Sequence, residues 1–316
     1  MESFLLNLKK QYLMTKEQSS KTKNKFQLKD SFSILKESAI GWNNSDPWRL
    51  SAIIAYYAIL SMPALLVIIV NLLGLIWGND IVEGRLSAQL SSVLGPESAD
   101  AISTMIESSQ TERRSLIMTI IGIGSLLFGA TGVFFHLQIS LNTIWGLKTN
   151  PDASWKRLVI DRFLSFGFVL VLGFLLLITF ILSAMLTAVS DKLKTIFPDI
   201  MVVLAQVADA VISLGVVTLL FALIFKYLPH AKIKWKSVWA GAVLTSVLFA
   251  IGKYALGFYF NQADPGSTYG AAGSIILILL WVSYASLILF FGAEVSYVFS
   301  RRYGHGVEPT DAAVKS

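Results

Sequence analysis

The chain has 316 residues, 54% hydrophobic and 15% charged, with a formal net charge of +6 and no cysteine. That balance argues against a soluble domain of this length, and the missing thiols exclude disulfides, thiolate catalysis and cysteine-based metal sites. The positive charge lies beside apolar runs, which points to membrane orientation rather than to nucleic acid.

Residues 1–29 read as a basic, disordered cytoplasmic tail centred on KEQSSKTKNK. From Asp30 the pattern turns helical. Phe32, Leu35, Ala39 and Trp42 share one face, as in a short helix lying on lipid headgroups. No apolar stretch precedes about residue 50, and that one is too long for the core of a signal peptide.

Apolar runs follow at about 50–77, 115–142, 163–189, 201–228, 238–260 and 271–299. Each exceeds the roughly 20 residues that a helix needs to cross a hydrocarbon core about 30 Å thick. The expected fold is therefore an all-α integral membrane protein with six transmembrane helices in residues 30–302 and a cytoplasmic tail at 303–316. Pro63 should kink the first span by freeing the carbonyl of Ile59. Residues 78–114, split by Gly95-Pro96, read as an amphipathic helical loop outside the cytoplasm. The second span carries Gly122, Gly124, Gly129 and Gly132, which suit close helix packing.

Twenty of the 26 Lys and Arg fall in the N-terminal segment, the 143–162 and 226–236 loops and the C-terminal segment. Five fall in the alternate loops, so the positive-inside rule puts both termini in the cytoplasm. That topology converts residue number into depth at about 1.5 Å per residue. Asp209 in the fourth span and Lys253 in the fifth both come about 12 Å below the outer edge, which predicts an Asp209–Lys253 pair. Gln206 and Ser213, one turn either side of Asp209, share its face. Glu294 comes about 10 Å from the cytoplasmic edge, at the level of His136, which gives a second expected contact, with snorkelling toward Arg301 as the alternative. Ionisable groups at such depths either form proton or ion relays or hold helices together.

Walker A, dinucleotide-binding and HExxH motifs are absent. His136, His230 and His305 have no acidic cluster beside them, so no metal, cofactor or catalytic residue is expected, and the chain does not read as an enzyme. Lys232, Lys234 and Lys236, alternating around Trp235, read as an inner-interface anchor, with lipid-headgroup contact as the alternative.

Ala55-Tyr56-Tyr57 through Ser61 and Pro63, then Leu141-Asn142-Thr143-Ile144-Trp145-Gly146, resemble the BrkB/YihY family of bacterial inner-membrane proteins. Tyr227-Leu228-Pro229 leading to Trp239, Gly252-Lys253, Tyr269-Gly270 and Gly292-Ala293-Glu294 complete the ordered set, which covers roughly residues 35–302. Met62 departs from it, standing where a bulkier aromatic is expected. The resemblance implies a six-helix protein of the bacterial plasma (inner) membrane, with links to serum resistance and envelope integrity in some members. It draws attention to Tyr56, Tyr57, Pro63, Asn142, Lys253 and Glu294. The family has also carried a ribonuclease BN-like label, which no residue here supports.

The resulting expectation is a secondary transporter or exporter with a polar site of Asp209, Lys253, Glu294, His136, Tyr56, Tyr57, Asn142, Gln206 and the backbone freed at Pro63. The alternatives are a non-catalytic envelope-assembly scaffold and a lipid-handling protein. The bilayer is the expected partner, with an unidentified solute, ion or lipid and no nucleic acid. A homo-oligomer or an envelope-protein partner stays open.

Overall fold

A computed structural model of the chain describes residues 27, 29–61, 132–150, 198–263 and 273–316. Residues 1–26 of the basic tail, Pro63, the 78–114 loop and the third apolar run lie outside the described residues. Helix α1 spans Asp30–Asn44. Helical residues 47–61 form α2, and 132–144 form α3. Helices α4 (Pro198–Tyr227), α5 (Trp235–Ala263) and α6 (Gly273–Tyr303) follow. Four short strands complete the set: β1 (Leu147–Thr149), β2 (Ala231–Lys232), β3 (Glu308–Pro309) and β4 (Ala313–Lys315).

Length and apolarity explain the three long helices. At 30, 29 and 31 residues they are each about 45 Å long. Ala210–Tyr227, Trp235–Leu256 and Ile275–Tyr303 are long and apolar enough to cross a membrane. Lipid supplies no hydrophobic force between such helices, so small residues and hydroxyls set their contacts. A Cβ on Gly241 would collide with the Gly292 carbonyl and the Ser296 hydroxyl, and one on Gly292 would collide with Thr245. The α5–α6 crossing therefore needs both glycines. Between α4 and α5, the buried Thr218 and Ser246 hydroxyls lie 2.7 Å apart.

Helix α1 packs on α6 through Ile34, which clusters with Val295, Val298 and Phe299. The face carrying Phe32, Leu35 and Ala39 is exposed, and Trp42 at its edge is half-buried. So α1 uses a different stripe, that of Ile34 and the buried Ser38, to meet the bundle.

The C-terminal segment is more than a tail. Gly306, at φ +76, turns the chain after α6, and β3 and β4 then pair with two separate loops. Strand β4 runs antiparallel to β1, with Leu147 opposite Lys315, and β3 runs antiparallel to β2, with Ala231 opposite Pro309. Each pairing gives a loop's exposed peptide groups partners that water would otherwise supply. Val307 and Ala313 enter the same buried cluster as Leu141, Trp145, Phe225, Val238 and Phe290. Lys234 Nζ also comes within 3.3 Å of His305 Nε2. The described parts of the four basic segments thus meet at one end of the helices.

Candidate functional site

Helix α6 is gripped from two sides near Glu294. The Trp42 indole N–H donates to the Leu287 carbonyl at 3.2 Å, and the Trp145 indole N–H donates to the Ala293 carbonyl at 2.9 Å. Immediately after Ala293, Glu294 is only 5% exposed. Gly41 of α1 lies directly against it: a Cβ there would collide with the Glu294 Oε1 and come 3.4 Å from Cγ. The glycine makes the space in which the carboxylate sits.

That carboxylate lines a groove of about 410 Å³ between α1 and α6, with Lys36, Ile40, Asn44, Val298 and Arg301 among its walls. Glu37, at its rim, is committed elsewhere. Its Oε1 accepts from Arg301 Nη2 at 2.9 Å, while its Oε2 accepts from Arg302 Nε at 2.8 Å and from Arg302 Nη2. Arg302 Nη1 also donates to the Ser33 hydroxyl at 3.0 Å. Glu37 therefore clamps α1 to the end of α6. No hydrogen bond or ion pair joins Glu294 or Lys36 to a partner among the described residues. The groove holds an unpaired carboxylate on its floor and an unpaired ammonium at its rim.

A second groove, of about 450 Å³, is lined by Arg49, Ala52, Ile53, Tyr56, Tyr57 and His136. His136 stacks on Tyr57 with ring centroids 4.7 Å apart, and Tyr56 meets Tyr57 edge-on at 5.3 Å. The expected Glu294–His136 contact is thus replaced. His136 turns to an aromatic neighbour of α2, and Glu294 faces α1 in a separate groove.

Asn142 is buried, and its Oδ1 accepts the His230 backbone N–H at 2.9 Å. Gln138 donates to the Leu228 carbonyl at 2.8 Å, so these two side chains of α3 fix the turn that leaves α4. Lys253 is exposed on α5, beside Gly252, which packs against the Tyr284 hydroxyl. The side chains of Gln206 and Asp209 lie outside the described residues, and the Asp209–Lys253 pairing with them. Lys232, Lys234 and Lys236 are exposed. Trp235 packs against Tyr227 and Trp239, under Lys226 Nζ at 5.8 Å, an aromatic cluster of the kind found at membrane interfaces.

Sequence reading missed Gly41, Lys36, Glu37 and the arginine clamp. One signal was present: Ile34, Ser38 and Gly41 fall on one helical stripe that ends in the only glycine of α1.

The family model described as virulence factor BrkB matches residues 41–315. A Teredinibacter turnerae protein named UPF0761 membrane protein is 24% identical over 82% of this chain, which spans 58% of that relative's length. A Vibrio vulnificus protein of that name is 23% identical, covering 83% of this chain and 80% of its own length. One from Haemophilus influenzae is 24% identical, covering 78% of this chain and 88% of its own length. No solved structure matches.

Proposed function

The chain belongs to the virulence factor BrkB family, and we propose that it is a transporter or exporter of the bacterial inner membrane with its polar site at Glu294. In this reading six helices cross the membrane and the end where the basic segments meet is cytoplasmic. The charge count supports that orientation, and the strand pairings that gather those segments support a common side.

The observation that carries the proposal is the unpaired Glu294 carboxylate, buried in a space that Gly41 leaves open. A carboxylate serving only to hold helices together needs a cation or donors beside it, because a lone buried charge costs several kcal/mol. Glu37 has such partners in direct contact on Arg301 and Arg302; Glu294 forms no hydrogen bond or close ion pair among the described residues, and Arg301 acts on it only from beyond contact distance. We read its missing contact as the place of a ligand. By residue count Lys253 and Asp209 stand at a second level nearer the outer edge, and Tyr56 and Tyr57 line the separate groove beside α2.

Proton flux in proteoliposomes under an imposed ion gradient tests this. Wild-type flux should be abolished by Glu294→Gln and reduced by Lys253→Met while the protein remains folded. Absence of flux over several cations and anions, or flux indifferent to Glu294→Gln, would remove the transporter. A lipid-handling role is the second reading, favoured because the groove adjoins the exposed apolar side chains Phe32 and Ile40 of α1.

A further inference from the structure

We infer that the groove between α1 and α6 is a binding site for a phospholipid headgroup carrying both a primary ammonium and a phosphate, the phosphoethanolamine class. The inference rests on the reading that Glu294 contacts a ligand, and it names the chemical class of that ligand.

Charge placement selects the headgroup. The floor offers one unpaired carboxylate, Glu294, which accepts an ammonium but repels a phosphate. The rim offers the unpaired Lys36 ammonium, and Arg301 lines the same groove while pairing with Glu37 and lying over the Tyr297 ring. Gly41 fixes the level of Glu294 on α1, and Lys36 stands five residues away, about 7.5 Å along that helix. Arg301 stands seven residues beyond Glu294, about 10 Å along α6. Two charge-assisted hydrogen bonds of about 2.8 Å, joined by a two-carbon ethanolamine bridge, reach about 10 Å, and the flexible Lys36 stem adjusts its ammonium to that reach. A purely anionic headgroup leaves Glu294 unmatched, and a simple cation leaves Lys36 unmatched.

Position selects a lipid over a free solute. Ile40 both lines the groove and is 56% exposed, and Phe32 on the same helix is 77% exposed. Trp48, just past the end of α1, is 65% exposed. These apolar groups stand where acyl chains would leave a headgroup held in the groove, and basic pockets at the inner ends of transmembrane helices are recurrent lipid sites.

The test is native mass spectrometry of the full-length protein in detergent, titrated with phosphatidylethanolamine and, separately, with phosphatidylglycerol of identical acyl chains. Wild type should prefer phosphatidylethanolamine about tenfold, the worth of one charge-assisted hydrogen bond. Glu294→Gln should bring the two lipids within about twofold, because the ammonium contact distinguishes them. Lys36→Gln should weaken both equally, because the phosphate is common to them. Equal wild-type affinities, or a preference that survives Glu294→Gln, would overturn the assignment. Soluble glycerophosphoethanolamine that competes at equal concentration would overturn the lipid source. If Glu294→Gln does not fold, Gly41→Ala, whose methyl displaces the same carboxylate, carries the same expectation. Because no flux is read, the two proposals fail separately. Glu294-dependent flux without headgroup preference removes the lipid and keeps the transporter, whereas preference without flux keeps the lipid site and removes the transporter.

Discussion

The two grooves at the end where the basic segments meet are nearly equal in volume, about 410 and 450 Å³, and beside each a glycine makes room for a bulky neighbour. In the first, Gly41 admits the Glu294 carboxylate; in the second, Gly132 admits the Tyr57 ring. The admitted groups then differ in fate. Tyr57 stacks on His136 and meets Tyr56 edge-on, so its place in the fold is accounted for by packing. Glu294 forms no hydrogen bond or close ion pair among the described residues, and Arg301 acts on it only from beyond contact distance. Space beside a glycine is therefore not itself a sign of function. What separates the two grooves is whether the side chain that fills the space has found its complement within the protein.

Substitutions at the two glycines should expose that difference. Gly132→Ala drives a methyl into a ring already held by its neighbours, and overpacking of this kind should cost about 2–3 kcal/mol in reversible unfolding. Asn142→Ala comes next: it leaves the His230 N–H without its acceptor and should cost about 1–2 kcal/mol by the same measurement. Gly41→Ala should cost less than about 0.5 kcal/mol, because the flexible Glu294 side chain can swing aside and alanine favours the helix. It should nonetheless abolish headgroup preference. A Gly41→Ala cost as large as that of Gly132→Ala would make the first groove a packing site like the second. Lys36→Gln, at an exposed position, should leave the unfolding midpoint within about 0.5 kcal/mol of wild type and act only on lipid binding.

What the sequence made legible follows the same division. The long helices were readable because lipid demands uninterrupted apolar length, and α4, α5 and α6 occupy the last three apolar runs. Helix α1 was readable from its period, but the stripe that packs was not. Phe32 and Leu35 are exposed, while Ile34 and Ser38 meet α6, because in a membrane protein the more apolar face need not be the buried one. Charge counting grouped four segments on one side, and strand pairing and the Glu37 clamp bring their described parts together. Strands of two and three residues have no detectable alternation, so the anchoring of the C-terminal segment was invisible beforehand. Depth alone matched Glu294 with His136. It could not say that Tyr57 already holds the imidazole, since depth fixes a level and not a direction around the helix.

The most direct test of the central claim is to measure stability and flux together in Glu294→Gln. If the carboxylate awaits a ligand, replacing it with an uncharged isostere removes a buried carboxyl that no described residue hydrogen-bonds. The unfolding midpoint should then hold or rise while proteoliposome flux is lost. A midpoint that falls, with flux per folded molecule unchanged, would show that Glu294 holds the helices together and does nothing more.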